Sequence, residues 1–76
     1  MDIKVLGKGC KKCKLLETHA KEALDTLGLE GTVSKVTDIN DIADYGVFET
    51  PALVVDGEVK ASGKVLSTKN IIKLLS

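Results

Sequence analysis

The sequence has little of what several common protein functions require. Aromatic residues make up 3% of the 76 residues, and the two rings belong to Tyr45 and Phe48. Two rings are too few for a platform on which nucleic-acid bases stack. Lysine and arginine number 11, and aspartate and glutamate also number 11, so the formal net charge is +0. Because proteins that bind nucleic-acid phosphates usually have a basic excess, we expect no nucleic-acid partner.

Long apolar segments are also scarce. The longest apolar run, near residues 52–55, has the length of a β-strand and is far too short to span a membrane. Residues 1–6 contain no basic segment leading into a long apolar stretch, which is the pattern of a signal peptide. A chain of 76 residues has the size of one domain. We therefore expect a single monomeric domain over residues 1–76, located in the cytoplasm and without a membrane partner.

The spacing of apolar residues, interrupted by seven glycines and one proline, predicts alternating strands and helices. In the strands apolar and polar residues alternate, whereas in the first helix apolar residues recur three and four positions apart. Asp56-Gly57 is a strong signal for a hairpin between the last two strands. The predicted elements are a strand at 1–6, a helix from 10 or 11 to 27, a strand at 32–37, a short helix capped by Asp38 or Asn40 and closed at Gly46, strands at 52–55 and 58–61, and a last helix capped by Ser67.

This order, β-α-β-α-β-β-α, predicts an α/β fold. The first two strands are joined through a helix and should be parallel, whereas the last two form an antiparallel hairpin. We expect a four-stranded mixed sheet flanked by helices on both faces.

Two cysteines, Cys10 and Cys13, lie on the predicted turn from the first strand to the first helix. Free N–H groups at a helix start favour an anion, and Lys11 and Lys12 add positive charge. We therefore expect the pKa of the Cys10 thiol to lie below that of an ordinary cysteine. Cys13 begins the apolar stripe of the helix and should be buried as a thiol.

This asymmetry suits a two-step exchange of disulfides. Cys10 would attack a substrate disulfide, and Cys13 would then attack Cys10 and release the reduced product. Gly9 would let a backbone or partner approach the sulfur closely. A C-x-x-C pair can also be structural or can bind a soft metal such as copper or zinc, and these alternatives remain open at this point. His19 is predicted to be a solvated surface residue.

Residues 45–59, YGVFETPALVVDGEV, together with a C-x-x-C motif after the first strand, resemble the thioredoxin-like superfamily. The chain is glutaredoxin-sized, and its Gly-x-Gly-Cys-x-x-Cys motif with a short C-terminal helix most resembles the small "redox-active disulfide protein" branch of archaea and bacteria. The resemblance implies that Pro51 is a cis-proline next to the cysteines and that the backbone of Thr50 pairs with a substrate chain. It also implies that the backbone of Gly63 passes close to a bound partner.

The resemblance implies a thiol–disulfide oxidoreductase that needs no cofactor beyond its own Cys10–Cys13 disulfide. Its partners would be proteins that contain disulfides, together with an unidentified reductase. A copper- or zinc-binding module and a non-catalytic interaction protein are the alternatives. The predicted site has no metal ligands; its catalytic residues are Cys10 and Cys13, and its substrate-binding residues are Gly9, Lys11, Lys12, Thr50, Pro51 and Gly63.

Three departures from the family pattern limit what can be carried over. Lys11 and Lys12 stand where thioredoxins have Gly-Pro, so the redox potential does not carry over. Residues 62–65 lack the acid with which glutaredoxins hold glutathione. Lys4 lies in the region where thioredoxins have a buried acid, so the resemblance provides no proton acceptor for Cys13.

Overall fold

A computed structural model describes residues 1–8 and 11–75. The fold is α/β in the predicted order, and the bounds of its elements closely follow those predicted from the sequence. The elements are β1 (Asp2–Leu6), α1 (Lys11–Leu27), β2 (Thr32–Val36), α2 (Ile39–Asp44), β3 (Ala52–Val55), β4 (Glu58–Ser62) and α3 (Thr68–Leu75).

The four strands form one mixed sheet in the order β2-β1-β3-β4. Strands β1 and β2 are parallel, whereas β1 with β3 and β3 with β4 are antiparallel. Leu6, the last residue of β1, pairs with Ala52, the first residue of β3. The turn after β1 and the segment before β3 therefore meet at one end of the sheet, in its two central strands.

One face of the sheet packs against α1 and α3. Ile3 and Val5 point to this face because alternate residues of a strand share a side, and the apolar stripe of α1 covers them. Ile71 of α3 is fully buried in the same cluster. The buried residues of this core are Ile3, Val5, Cys13, Leu16, Ala20, Ala23, Leu24, Leu53, Val55, Ala61 and Ile71.

The opposite face packs against the short helix α2. Its buried residues are fewer: Leu6, Ile42, Val47, Ala52 and Val54. Asp38 caps α2 and accepts a hydrogen bond from the backbone N–H of Asn40 at 2.8 Å. Helices thus cover both faces, as predicted. No helix among residues 1–8 and 11–75 combines the length and apolar character that a membrane crossing requires.

The prediction for His19 is wrong. Its ring Nδ1 lies 2.7 Å from the backbone oxygen of Leu66, and the contact is partly buried. The chain between β4 and α3 returns over α1 at this point. His19 therefore links α1 to the segment that precedes α3.

Candidate active site

The end of β1 brings a glycine against a sulfur atom. The N–H of Gly7 donates a hydrogen bond to the backbone oxygen of Val36 at 3.0 Å, which fixes the chain after β1. A Cβ atom at residue 7 would collide with Sγ of Cys13 and would lie 3.7 Å from Cβ of Thr50. The Sγ atom therefore packs directly on the backbone of Gly7, with Thr50 beside both. Glycine is required here because any side chain would displace the sulfur.

Cys13 lies in the first turn of α1, which begins at Lys11. Cys13 is 2% exposed and belongs to the core between the sheet and helices α1 and α3, which confirms the predicted burial. Lys11 and Lys12 are exposed in the same turn. Cys10, the predicted nucleophile, and Gly9 lie outside the described residues.

The segment before β3 supplies the second wall of the site. The peptide bond between Thr50 and Pro51 is cis. Pro51 is fully buried, whereas Thr50 is exposed. The backbone oxygen of Pro51 accepts a hydrogen bond from the N–H of Gly63 at 2.9 Å. The predicted substrate-binding residues Thr50, Pro51 and Gly63 thus lie together, and Thr50 is next to Gly7 and Cys13.

Glu49 lies against one of the predicted site residues, a contact that the sequence did not reveal. Its carboxylate lies against Gly63, because a Cβ atom at residue 63 would collide with Oε2 and would lie 3.1 Å from Cβ of Glu49. Gly63 also has a φ of +72°, a conformation that glycine adopts without steric strain. The one sequence signal for Glu49 is its position next to Thr50.

An open apolar groove, which we call the Phe48 groove, adjoins the site on the α2 side. Its volume is about 240 Å³, and Phe48 at its rim is 91% exposed. Ile39 of α2 is also exposed, whereas Ile42 and Val47, which line the same groove, are buried. The residues that line it include Lys8, Ile39, Ile42, Val47, Phe48 and Thr50.

Lys4 lies on the α2 face of the sheet, whereas Cys13 lies on the other. The Nζ atom of Lys4 donates a hydrogen bond to the hydroxyl of Tyr45 at 3.2 Å and lies 3.9 Å from Oδ2 of Asp2. The hydrogen bond to Tyr45 and the charges of Tyr45 and Asp2 raise the pKa of Lys4 above its ordinary value. Because Lys4 and Cys13 lie on opposite faces of the sheet, Lys4 is not placed to take a proton from that thiol.

Metal ligands do not cluster in the part of the chain that the structure describes. No group of three or more His, Cys, Asp or Glu residues within 1–8 and 11–75 could hold a metal ion. Cys10, which a two-cysteine copper or zinc site would need, lies outside that part.

A small mixed sheet with a buried cysteine in the first turn of α1 and a cis-proline before β3 is the arrangement of thioredoxin-like proteins. A family model described as a thioredoxin domain matches residues 1–76. The protein named Thioredoxin from Methanothermobacter thermautotrophicus is 40% identical over 76 residues, which cover 100% of this chain and 99% of that protein. The Thioredoxin of Methanocaldococcus jannaschii is 38% identical over 69 residues, which cover 91% of this chain and 79% of that protein. The chain belongs to the thioredoxin family, which confirms the predicted superfamily and identifies a thioredoxin-like redox protein in general.

Proposed function

We propose that the protein is a thiol–disulfide oxidoreductase that exchanges its Cys10–Cys13 dithiol with disulfides of protein substrates. The Cys10 thiolate attacks one sulfur of the substrate disulfide, and the other substrate sulfur leaves as a thiolate and takes up a proton. Cys13 then loses its proton and attacks Cys10, and the second substrate sulfur leaves. The substrate gains two electrons and two protons, and the protein becomes a Cys10–Cys13 disulfide.

The position of Cys13 is the observation that carries this proposal. Its Sγ packs on the backbone of Gly7 and is almost excluded from solvent. A thiol in that position is shielded from bulky external disulfides, so it suits the second, intramolecular step. Cys10 stands three positions earlier in the sequence, the spacing of a C-x-x-C pair, and would take the external role.

The exposure of Thr50 supports a place for the substrate chain beside Cys13. Thr50 lies next to Gly7 and Cys13, and it is exposed although the following Pro51 is fully buried. An extended substrate segment would pair with the backbone of Thr50 as an added strand. Lys11 and Lys12, exposed in the first turn of α1, would favour the thiolate of Cys10. Two further points stay predictions: that a reductase restores the dithiol, and that the protein is located in the cytoplasm.

Single cysteine variants test the order of the two steps. The Cys13→Ser variant should accumulate a mixed disulfide on Cys10 with a protein disulfide, seen by mass spectrometry as an adduct that dithiothreitol removes. The Cys10→Ser variant should form no adduct and show no exchange. If both variants reduce the disulfide at the rate of the parent protein, the mechanism is wrong.

Titration with copper(I) or zinc under reducing conditions tests the metal-binding alternative in the same protein. The proposed oxidoreductase should reduce disulfides catalytically, with any metal binding weak. Tight stoichiometric metal binding without reductase activity would contradict the proposal. Absence of both properties would indicate a non-catalytic interaction protein and contradict it as well.

A further inference from the structure

The Phe48 groove combines an exposed aromatic ring with direct access to the proposed site. Phe48 is 91% exposed and Ile39 is 60% exposed, the two largest exposures among the large apolar side chains of residues 1–8 and 11–75. Single exposed apolar residues are ordinary on protein surfaces. Here, however, the two side chains line one groove, whose floor contains the buried residues Ile42 and Val47. An apolar surface of this kind suits burial by a partner.

The size of the groove indicates what it can hold. Its volume of about 240 Å³ is below the roughly 300–1,000 Å³ of pockets that enclose a drug-sized ligand. The groove is partly enclosed and reaches the surface at Phe48, so it suits one apolar side chain that projects from a polypeptide. Thr50 belongs both to the groove and to the proposed substrate-binding backbone. A substrate segment held at Thr50 therefore passes the groove.

The charges at the groove indicate the neighbouring residue of that segment. Lys8 is exposed at the groove and makes no ion pair with the residues that the structure describes. Four acids are sequence neighbours of groove-lining residues, and all four lie elsewhere. Asp38 caps α2, and the carboxylate of Glu49 lies against Gly63. Asp41 and Asp44 line a separate pocket beside Lys4. Lys8 is thus available to a carboxylate of the partner.

We propose that the Phe48 groove selects among polypeptide substrates. It receives an apolar side chain close to the reacting cysteine of the substrate, and Lys8 pairs with a carboxylate on the same segment. The proposal rests on the oxidoreductase function above and adds a preference for disulfides in apolar, acidic sequence contexts.

Chromogenic peptide disulfides provide the test. Short peptides that contain one cysteine, linked as a mixed disulfide to 2-nitro-5-thiobenzoate, differ at two positions beside the cysteine: leucine or serine, and aspartate or lysine. The reduced full-length protein is mixed with each peptide, and the second-order rate of thiobenzoate release is measured. Burial of one apolar side chain predicts that the parent protein reduces the leucine peptides about tenfold faster than the serine peptides.

Two groove variants and a matched control connect these preferences to the groove. Phe48→Ala should lower the leucine-to-serine rate ratio to about one, and Lys8→Gln should abolish the preference for aspartate over lysine. Leu74→Ala removes another exposed apolar side chain, on α3 and 43% exposed, and should keep both ratios of the parent. Because each ratio compares two peptides on one protein, a general loss of activity does not change it.

The outcomes separate the groove from the underlying chemistry. Equal ratios in the parent and in Phe48→Ala would overturn the groove proposal. So would a parent that reduces hydroxyethyl disulfide but shows no peptide preference, and in that case the proposed function would stand. A parent that reduces neither hydroxyethyl disulfide nor any peptide would overturn both proposals.

Discussion

The two faces of the sheet are covered to different depths. Helices α1 and α3 bury a large apolar cluster on one face, whereas α2, six residues long, buries a smaller one on the other. The larger cluster includes Cys13. The smaller face contains a lysine–tyrosine contact and the open Phe48 groove. Cys13 is thus held in the part of the fold that supplies most of the apolar burial, and the proposed recognition surface lies on the face where less is buried.

Thr50 lies where these two environments meet. It stands beside Gly7 and Cys13, and it also lines the Phe48 groove. The proposed chemistry therefore uses the deeply packed face and the proposed selectivity uses the thin one. Substitutions on the two faces should separate stability from substrate preference.

The largest difference is expected between two matched isoleucines. Ile71 of α3 is fully buried in the larger core, and Ile42 of α2 is 5% exposed in the smaller cluster. Replacement by alanine leaves a cavity in each case, but the thinner face relaxes more easily. We expect Ile71→Ala to lower the free energy of unfolding by about 4 kcal/mol and Ile42→Ala by about 2 kcal/mol. Urea unfolding measures both, and a larger loss for Ile42→Ala would break the comparison.

The next effect is expected at Gly7, where a single methyl group meets a sulfur. Gly7→Ala should force Cys13 from its position and lower the free energy of unfolding by about 1–3 kcal/mol. It should also slow the second step of exchange, measured as longer survival of the mixed disulfide on Cys10.

Gly28→Ala is the control for this variant. Gly28 has a φ of +66° and open space around a Cβ atom, so alanine there strains the backbone by about 1–2 kcal/mol without touching the site. We expect Gly28→Ala to lose stability and keep the exchange rate. Equal slowing in both variants would show that the contact with Sγ is not the cause.

A smaller effect is expected for the polar contact on the larger face. His19→Leu removes the contact between Nδ1 and the backbone oxygen of Leu66, which is partly buried. The loss should lower the free energy of unfolding by about 1 kcal/mol, since the oxygen loses its partner. Hydrogen exchange of the α3 amides should speed up more than that of β2. Unchanged exchange in α3 would contradict the linking role of His19.

The smallest effect is expected for the polar contact on the thin face. Tyr45→Phe removes the hydroxyl that accepts a hydrogen bond from Lys4. In the parent protein this hydrogen bond raises the pKa of Lys4. Because the folded state holds this proton more firmly, the contribution to stability is present below the ordinary lysine pKa of about 10.4 and is lost as the pH rises through the folded-state value. The variant should therefore be less stable than the parent at neutral pH, and the difference should vanish at strongly alkaline pH.

A titration followed by NMR on the Lys4 side chain gives the direct readout. The pKa of Lys4 should be lower in Tyr45→Phe than in the parent, while Asp2 still raises it in both. An unchanged pKa would mean that the hydroxyl does not act on the ammonium group.

The order of helices and strands could be predicted because its signals are local. Alternation, the three-and-four spacing in α1 and the Asp56-Gly57 turn each lie within a few neighbouring residues. The burial of Cys13 followed from its place on that stripe. The contact of His19 with Leu66 could not be predicted, since it joins residues 47 positions apart and depends on the path of the chain before α3.

The same limit applies to the site. The cysteine spacing and the Thr50-Pro51 segment were legible as family motifs. The Phe48 groove could not be predicted from the sequence, because Lys8, Ile39 and Phe48 come from three separate segments. The carboxylate of Glu49 against Gly63 likewise depends on how the chain after β4 returns to the start of β3.

The contact between Gly7 and Cys13 has a spectroscopic consequence. The Gly7 amide is bonded to the oxygen of Val36, and its Cα lies against Sγ of Cys13. A bond formed or broken at that sulfur changes the electronic surroundings of a backbone group that is otherwise held still. The amide resonance of Gly7 is therefore a natural reporter that follows the state of the buried sulfur without a label at either cysteine.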